Sequence, residues 1–269
     1  MSDRVPSALV VLCVYNQLPF LRRVLPGYLR QSTSDFHLTI ADDGSSDGTD
    51  AFVDACRADF EARGIGLSHV WQADEGFRKT RILNEAVRQS PSAPLLIFSD
   101  GDCVPPPRFV ERHLAVHEPM SFHVAGAYRL DAETSDALTL EAVEAGTFEG
   151  CGLPENDREL RKKRRQSIWG TKIGRRNRPK ILGLNMAYDR ELFLALNGFD
   201  ERFQSWGIGE DTDMRDRAMR LRPKPRVKVL YTENDVYHLW HPVGTNQRAE
   251  SERYYKTDRP VRCEHGLEP

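Results

Sequence analysis

The sequence is poor in cysteine, and its five thiols are not arranged to build a site. Cys13, Cys56, Cys103, Cys151 and Cys263 are odd in number, widely spaced and without any C-x-x-C pair. Neither a disulfide framework nor a zinc knuckle is expected from them. Long apolar runs are missing too. The first, Ala8–Tyr15, is too short to cross a bilayer and follows no basic leader region, so the expectation is a cytoplasmic protein without a membrane span. Strong net charge is absent: 38 basic side chains face 40 acidic ones, which argues against a protein that binds nucleic acid over its whole surface. The glycine motifs of nucleotide sites are lacking as well. The first apolar run leads into Asn16-Gln17-Leu18-Pro19, with no G-x-G-x-x-G and no G-x-x-x-x-G-K-[ST], and no G-x-S-x-G occurs anywhere. Dinucleotide, P-loop and nucleophile-elbow readings therefore lose their mechanism.

What is present is a regular alternation of strand and helix patterns. Ala8–Tyr15 reads as a buried strand, and Phe20–Gln31 then sets Leu21, Val24, Leu25, Tyr28 and Leu29 on one helical face. A strand at His37–Ala41, a helix over Asp50–Arg63, a strand at Leu67–Gln72, a helix over Thr80–Gln89 and a strand at Pro94–Ser99 follow. The succession predicts a parallel sheet covered by helices, with ligands beyond the carboxyl ends of the strands. At 269 residues the chain can bury roughly three quarters of its unfolded surface. One large domain, or one domain with an appended lobe, is expected. Further on, the pattern resumes with a strand at Ile181–Tyr188, a helix from Arg190 capped by Asp189, a helix near Asp211–Leu221, and strands near Val227–Tyr231 and Val236–His238.

Carboxylates, not glycines, follow the strands: Asp42 and Asp43 after the second, Asp100 and Asp102 after the fourth. Acidic groups repel bare phosphate, so a phosphate-bearing ligand here needs a divalent cation between it and the protein. In Asp100-Gly101-Asp102 the two carboxylates stand at i and i+2, on one side of a strand end. The glycine between them lets a ligand approach the backbone. Such a pair can hold Mg²⁺ or Mn²⁺ while one member also meets a sugar hydroxyl. His113 and His117, at i and i+4, lack any such context and read as an exposed helix face.

The chain resembles the nucleotide-sugar glycosyltransferases of family 2, which have the GT-A fold. The matching pieces are VVLCVYNQ (10–17), ADDGSSDGT (41–49), DEGFRKTRILN (74–84), LLIFSDGDCVPP (95–106), GLNMAYDRELFLALNGFDERF (183–203), GEDTDMRDRA (209–218) and VYHLWHP (236–242). They occur in the family's order. The later pieces form a galactosyltransferase-like block, and the set looks closest to chondroitin-polymerase-like and related polysaccharide or lipopolysaccharide transferases. The resemblance implies an α/β single domain, a mostly parallel Rossmann-like sheet with helices on both faces and an acceptor-side insertion. Residues 1–129 would form the nucleotide-sugar-binding half, 130–180 the insertion, 181–242 the acceptor-binding and catalytic half, and 243–269 a tail.

It also implies roles for residues. Tyr15 would stack on uracil, with Asn16 beside it, and Asp43 would accept a hydrogen bond from the base or ribose, since an aromatic face and a fixed acceptor suit a ring with an N–H donor. Asp42 has a plainer part, capping its turn. Asp100, Gly101 and Asp102 would meet ribose and metal, with Asp100 and Asp102 as ligands and His238, in preference to His241, as the third. Imidazole beside carboxylate suits Mn²⁺, with Mg²⁺ also admitted. Asp211 would remove the acceptor's proton during inverting transfer, and Glu210 would hydrogen-bond the acceptor or the donor sugar. Asn185, Met186, Trp206 and His241 would face the acceptor. Two features depart from the family pattern. Trp206 stands four residues before Glu210 where three is usual, and Leu83 precedes Asn84 where relatives carry arginine, leaving Arg78 or Arg81 for the phosphate or uracil contact.

The even charge is a sum of opposed parts. Residues 130–157 carry eight acids and no base, and residues 158–180 carry eleven bases and the single acid Glu159, a net of +10 that leaves −12 for the rest. The basic stretch suits an anionic membrane or a lipid-linked acceptor, unless the acids before it neutralise it. The function expected is metal-dependent transfer of a hexose or N-acetylhexosamine from a UDP-sugar to a surface glycan, peripheral at the inner face of the membrane and without nucleic acid as partner. The competing readings are a catalytically silent nucleotide-sugar-binding module and an RNA-binding protein acting through residues 158–180.

Overall fold

The computed structural model describes residues 5–151, 154–175, 177–204, 209–242 and 259–268. The first half follows the periodicity: β1 (Ala8–Val14), α1 (Leu18–Leu29), β2 (Phe36–Asp42), α2 (Thr49–Ala62), β3 (Gly66–Trp71), α3 (Lys79–Gln89) and β4 (Leu95–Asp100). Then come β5 (Cys103–Val104), α4 (Phe109–Val116), β6 (Ser121–Val124), β7 (Ala127–Arg129), α5 (Ala132–Ala137), α6 (Leu140–Ala145) and α7 (Pro154–Lys172). β8 (Asn185–Asp189), α8 (Arg190–Ala195), α9 (Glu210–Arg220), β9 (Arg226–Val229) and β10 (Val236–His238) complete the order.

A seven-stranded sheet runs β3-β2-β1-β4-β8-β6-β9. β1 lies inside it between β2 and β4, so its run ALVVLCV is apolar on both faces. Val10, Leu12 and Val14 point to the side covered by Leu21, Val24, Leu25 and Tyr28 of α1. Leu9 and Val11 point to the other, where Ile82, Leu83, Ala86 and Val87 of α3 meet Phe98, Phe193 and Phe199. The alternation along one strand thus assigns each helix its face.

Past β4 lie the antiparallel pairings that make the sheet mostly, and not wholly, parallel. β8 runs antiparallel to both β4 and β6, while β6 and β9 pair in parallel. The strand expected from Ile181 starts only at Asn185, because the Gly183 amide donates to Asp211 and the Leu184 carbonyl accepts from Ser99 Oγ, outside the ladder. Asp189 caps α8 as expected, accepting from the Leu192 amide at 3.3 Å. His113 and His117 do not form an exposed face. His113 is buried, its ring stacked on His123 with Nδ1 atoms 3.1 Å apart, and His117 meets Asp189 at 3.1 Å. Burial drives His113 down to about 4, so it is neutral at ordinary pH.

The described residues of 130–180 include three helices. α5 and α6 lie near α1, whose Arg23 and Arg30 guanidiniums donate to the Ser135 and Val143 carbonyls. α7 packs on β7 and β9, burying Leu160, while Ser167 and Gly170 face Lys180 and Arg178. No described helix is long and apolar enough to cross a membrane.

The second half is tied together by a buried charge. Arg217 of α9, 1% exposed, donates to Asp213 Oδ2 (2.8 Å) and to the Leu196 and Gly198 carbonyls (2.7 and 2.8 Å) that close α8. Replacing it by Met keeps the stem but leaves Asp213 Oδ2 without its buried guanidinium and the Gly198 carbonyl with only a long Cys263 Sγ contact, while the Leu196 carbonyl keeps the Cys263 amide. We expect Arg217→Met to destabilise the fold by about 3–5 kcal/mol in urea unfolding; a cost below about 1 kcal/mol would contradict this account.

Candidate active site

The carboxyl edge of β1, β2 and β4 gathers most of the residues picked from sequence. Asp42 does cap its turn: Oδ1 accepts from the Gly44 and Ser45 amides at 3.2 and 2.8 Å. Asp43, displaced by one residue, faces the other way. It accepts from Gln72 Nε2 (2.5 Å) and from the Arg78 amide (2.9 Å). Burial raises its carboxyl, with these two donors opposing. Tyr15, 47% exposed, stands on the rim with its hydroxyl donating to Asp74 at 2.8 Å. Asn16, at φ +48°, receives the Ser46 amide on its side chain. The Arg78 guanidinium is taken up by Glu75 and the Ala73 carbonyl, and Arg81 is exposed on α3.

Gly101 has a different reason from the one expected. Its amide donates to the Cys13 carbonyl at 2.7 Å, and a Cβ there would lie 2.6 Å from Val14. The glycine admits the neighbouring strand β1, and so fixes how the two flanking carboxylates leave β4.

Those carboxylates meet different partners. Asp100 Oδ1 accepts from Lys79 Nζ at 2.7 Å. Asp102 faces two imidazoles, His241 Nε2 at 3.3 Å and His238 Nε2 at 3.8 Å. The second sheet, β5-β10-β7, creates this meeting: β10 pairs antiparallel with β5 so that His238 stands opposite Cys103, and the Leu239 amide donates to the Asp102 carbonyl. Burial raises the Asp102 carboxyl, but the His241 hydrogen bond and the His238 ring hold it, on balance, below its ordinary value. Burial lowers His238, and the bond to Asp102 raises His241.

Asp102, Cys103 and His238 each offer one donor atom, all within 4.8 Å of one another. The donor set fits a borderline-hard divalent ion, with an ionised carboxylate and a neutral imidazole. The Cys103 thiol, pushed up by burial, donates to Asp102 Oδ1 at 3.3 Å and orients it. Asp100 stands outside this cluster, its carboxylate engaged by Lys79.

Across the edge, α9 starts at Gly209, whose φ of +80° only glycine adopts freely, and presents Glu210 and Asp211. Asp211 is held from three sides: Oδ2 accepts from the Gly183 amide (3.0 Å), and Oδ1 from the Thr212 amide and hydroxyl (2.5 and 3.1 Å). Glu210, 13% exposed, lies 3.9 Å from Lys79 Nζ. Lys79 is the residue that sequence reading missed, since a lysine opening a helix carries no motif of its own. Burial opposes its charge, but Asp100 holds it well above the ordinary lysine value. The longer contact with Glu210 does not overcome burial there, and Glu210 is pushed up to about 7, with Asp211 raised beside it.

Two acceptor assignments are corrected. Asn185 is wholly buried, its Nδ2 donating to the Gly126 and Asn234 carbonyls, and Met186 is packed in the core beside it. Both lie within β8, between β4 and β6, and no acceptor reaches them. Trp206 lies outside the described residues.

Comparison with known proteins gives this edge its setting. The model of glycosyl transferase family 2 matches residues 9–184. The chain belongs to that family. The model for the N-terminal domain of galactosyltransferase matches residues 170–241, which include α9 and β10. Validoxylamine A glucosyltransferases of Streptomyces hygroscopicus subsp. jinggangensis and subsp. limoneus are both 30% identical over 234 residues, covering 79% of this chain and 51% and 48% of theirs. The chain thus spans about half the length of these curated relatives. Among solved structures, the mannosyltransferase PcManGT of Pyrobaculum calidifontis, in complex with GDP-Man and Mn²⁺, aligns with a TM-score of 0.58 at 17% identity, over 90% of this chain and 59% of that one. S. aureus TarS 1–349 in complex with UDP-GlcNAc gives 0.58 at 14%, over 88% and 60%. At such identities the likeness is one of fold, and the fold is GT-A.

The raised Glu210 carboxyl has a measurable consequence. Its proton is bound more tightly in the folded than in the unfolded chain, so its contribution to stability is full below about pH 4.5 and is lost as pH rises through about 7. Melting temperatures across that range should fall less steeply for Glu210→Gln than for the parent chain. Lys79→Met, which removes the cation favouring ionised Glu210, should make the fall steeper. Parallel curves for all three proteins would refute this placement of the charges.

Proposed function

We propose that the chain transfers a hexose or N-acetylhexosamine from a UDP-sugar to a hydroxyl of a surface-glycan acceptor, inverting the sugar carbon, with Mn²⁺ or Mg²⁺ as cofactor. The observation that carries this reading is the meeting of Asp102 with His238 on the strand edge that also receives Glu210 and Asp211. Asp102 and His238 would hold the cation, which when bound offsets charge on the departing diphosphate. Tyr15 offers its exposed ring to uracil, and Asn16 and Asp43 border the same rim. Asp100, kept in place by Lys79, is directed to the ribose and sugar.

Asp211 acts as the base. The Gly183 and Thr212 donors fix its carboxylate so that a free lone pair takes the acceptor's proton while that oxygen attacks the sugar carbon. Glu210 hydrogen-bonds the acceptor or donor sugar. Its pH range near 7 makes the pair, and not one residue, the unit that titrates. Residues 130–180 would form the acceptor-side insertion and 181–242 the acceptor half. The neighbours solved with UDP-GlcNAc and GDP-Man support a nucleotide-sugar donor.

The test is nucleotide release from a panel of UDP-sugars and GDP-mannose, with and without Mn²⁺ or Mg²⁺. We expect metal-dependent UDP release, reduced roughly 100-fold or more by Asp102→Ala and by about 10²–10⁴-fold in Asp211→Asn. A preference for GDP-mannose would remove the uridine assignment of Tyr15 and Asp43. Tight UDP binding with no turnover on any acceptor would mark a silent binding module.

A further inference from the structure

Helix α7 leaves a face that neither the core nor the candidate active site uses. Its buried side is limited to Leu160, Ser167 and Gly170. On the outer side Arg161, Arg165, Ile168, Trp169 and Lys172 recur at helical spacing. Trp169 is 59% exposed and Ile173 64%, with Lys172 Nζ 5.6 Å over the Trp169 ring. A soluble surface seldom leaves a tryptophan and two isoleucines together within six residues without a partner.

The charge on this helix is not neutralised from within. Lys163 pairs with Glu159, Arg164 with Glu233 and, loosely at 3.9 Å, Arg161 with Asp157. Arg158, Lys162, Arg165 and Arg175 have no ion pair among the described residues. Of the eight acids in residues 130–157, only Asp157 is paired with the basic segment among the described residues. α6, which holds Glu141 and Glu144, packs on α1 instead. A groove of about 610 Å³ adjoins the face, lined by Tyr128 and Thr232 as well as by Arg161, Arg165 and Trp169.

We propose that this face of α7 docks on an anionic lipid surface, with its free basic side chains on headgroup phosphates and Trp169, Ile168 and Ile173 in the interfacial layer. Unpaired cations beside exposed tryptophan and isoleucine are what such a surface binds: the apolar groups enter the interface and each cation near it adds attraction. Single-stranded RNA would be served by several stacking aromatics, and α7 has only Trp169. The proposal stands apart from the sugar-transfer reading and does not depend on it.

The experiment is sedimentation of the full chain with vesicles of phosphatidylcholine alone and of phosphatidylcholine with one part in three phosphatidylglycerol. Binding is expected only with phosphatidylglycerol, weakened at high salt and accompanied by a blue shift in tryptophan emission that Trp169→Phe abolishes. Charge reversal by Arg158→Glu with Arg165→Glu should weaken binding about tenfold or more, as should Trp169→Ser with Ile173→Ser. Unchanged melting temperatures would show that these variants fold. Equal binding to both vesicle types, no binding to either, or retention of binding in the charge-reversed variant would each overturn the proposal. So would tight binding of single-stranded RNA in place of vesicles.

Discussion

The two-residue pairing of β10 with β5 is the contact on which the rest of the site depends. It is small, joining Tyr237 to Val104 and His238 to Cys103, yet it brings a strand from beyond residue 235 against one that starts just after residue 100. Without it Asp102 would be a buried carboxylate with no imidazole near. The pairing is itself held from behind. Asp235 accepts from the Gly126 and Thr232 amides, and Asn234 donates to the Phe109 carbonyl. Asn185 then bridges Gly126 and Asn234. A short ladder is made firm by side chains that have no part in the chemistry, the arrangement a metal-competent cluster needs if its donors are to keep their geometry.

The second constraint is electrostatic. Asp43, Asp100, Asp102, Glu210 and Asp211 share one strand edge with Lys79 as the inner cation. Like charges in a half-buried space raise each other's proton affinity. Lys79 lies close to Asp100 and farther from Glu210, whose raised proton affinity it offsets only in part. The edge is therefore divided between Asp102, held below its ordinary value by the two imidazoles, and Glu210, which titrates near neutrality. One fixed lysine at two unequal distances makes the two halves chemically different.

Much of this was legible in the sequence, and the rest was not for definite reasons. The strands and helices up to β4 show their period directly, because each is set by its own apolar spacing. The Asp100-Gly101-Asp102 step was visible for the same reason, since it ends a strand. What a residue does after it leaves its element is a matter of long-range contact. Lys79 carries no local sign of its part, which follows only from the placing of Asp100 and Glu210 around it. Asn185 and Met186 seemed free to meet an acceptor because the antiparallel insertion of β8 between β4 and β6, which buries them, leaves no mark in local periodicity. His113 lacked a sign of burial until His123 came from β6 to stack on it. Gly101 was legible as a point of close approach, and the backbone it admits is that of β1.

The burial of Arg217 bears on the active edge in a way that its distance conceals. α9 has eleven residues and so a length of about 16 Å; its acids stand at one end and Arg217 near the other. A helix of this length moves as a rod. Its far end is bolted to the Leu196 and Gly198 carbonyls just past α8, so the aim of Glu210 and Asp211 is set from the opposite end of the helix. Small displacements around Leu196 and Gly198 are carried the length of the rod to the acids. The packing behind α8 is, in mechanical terms, the mounting of the instrument, and its tolerance limits how finely the front can be aligned.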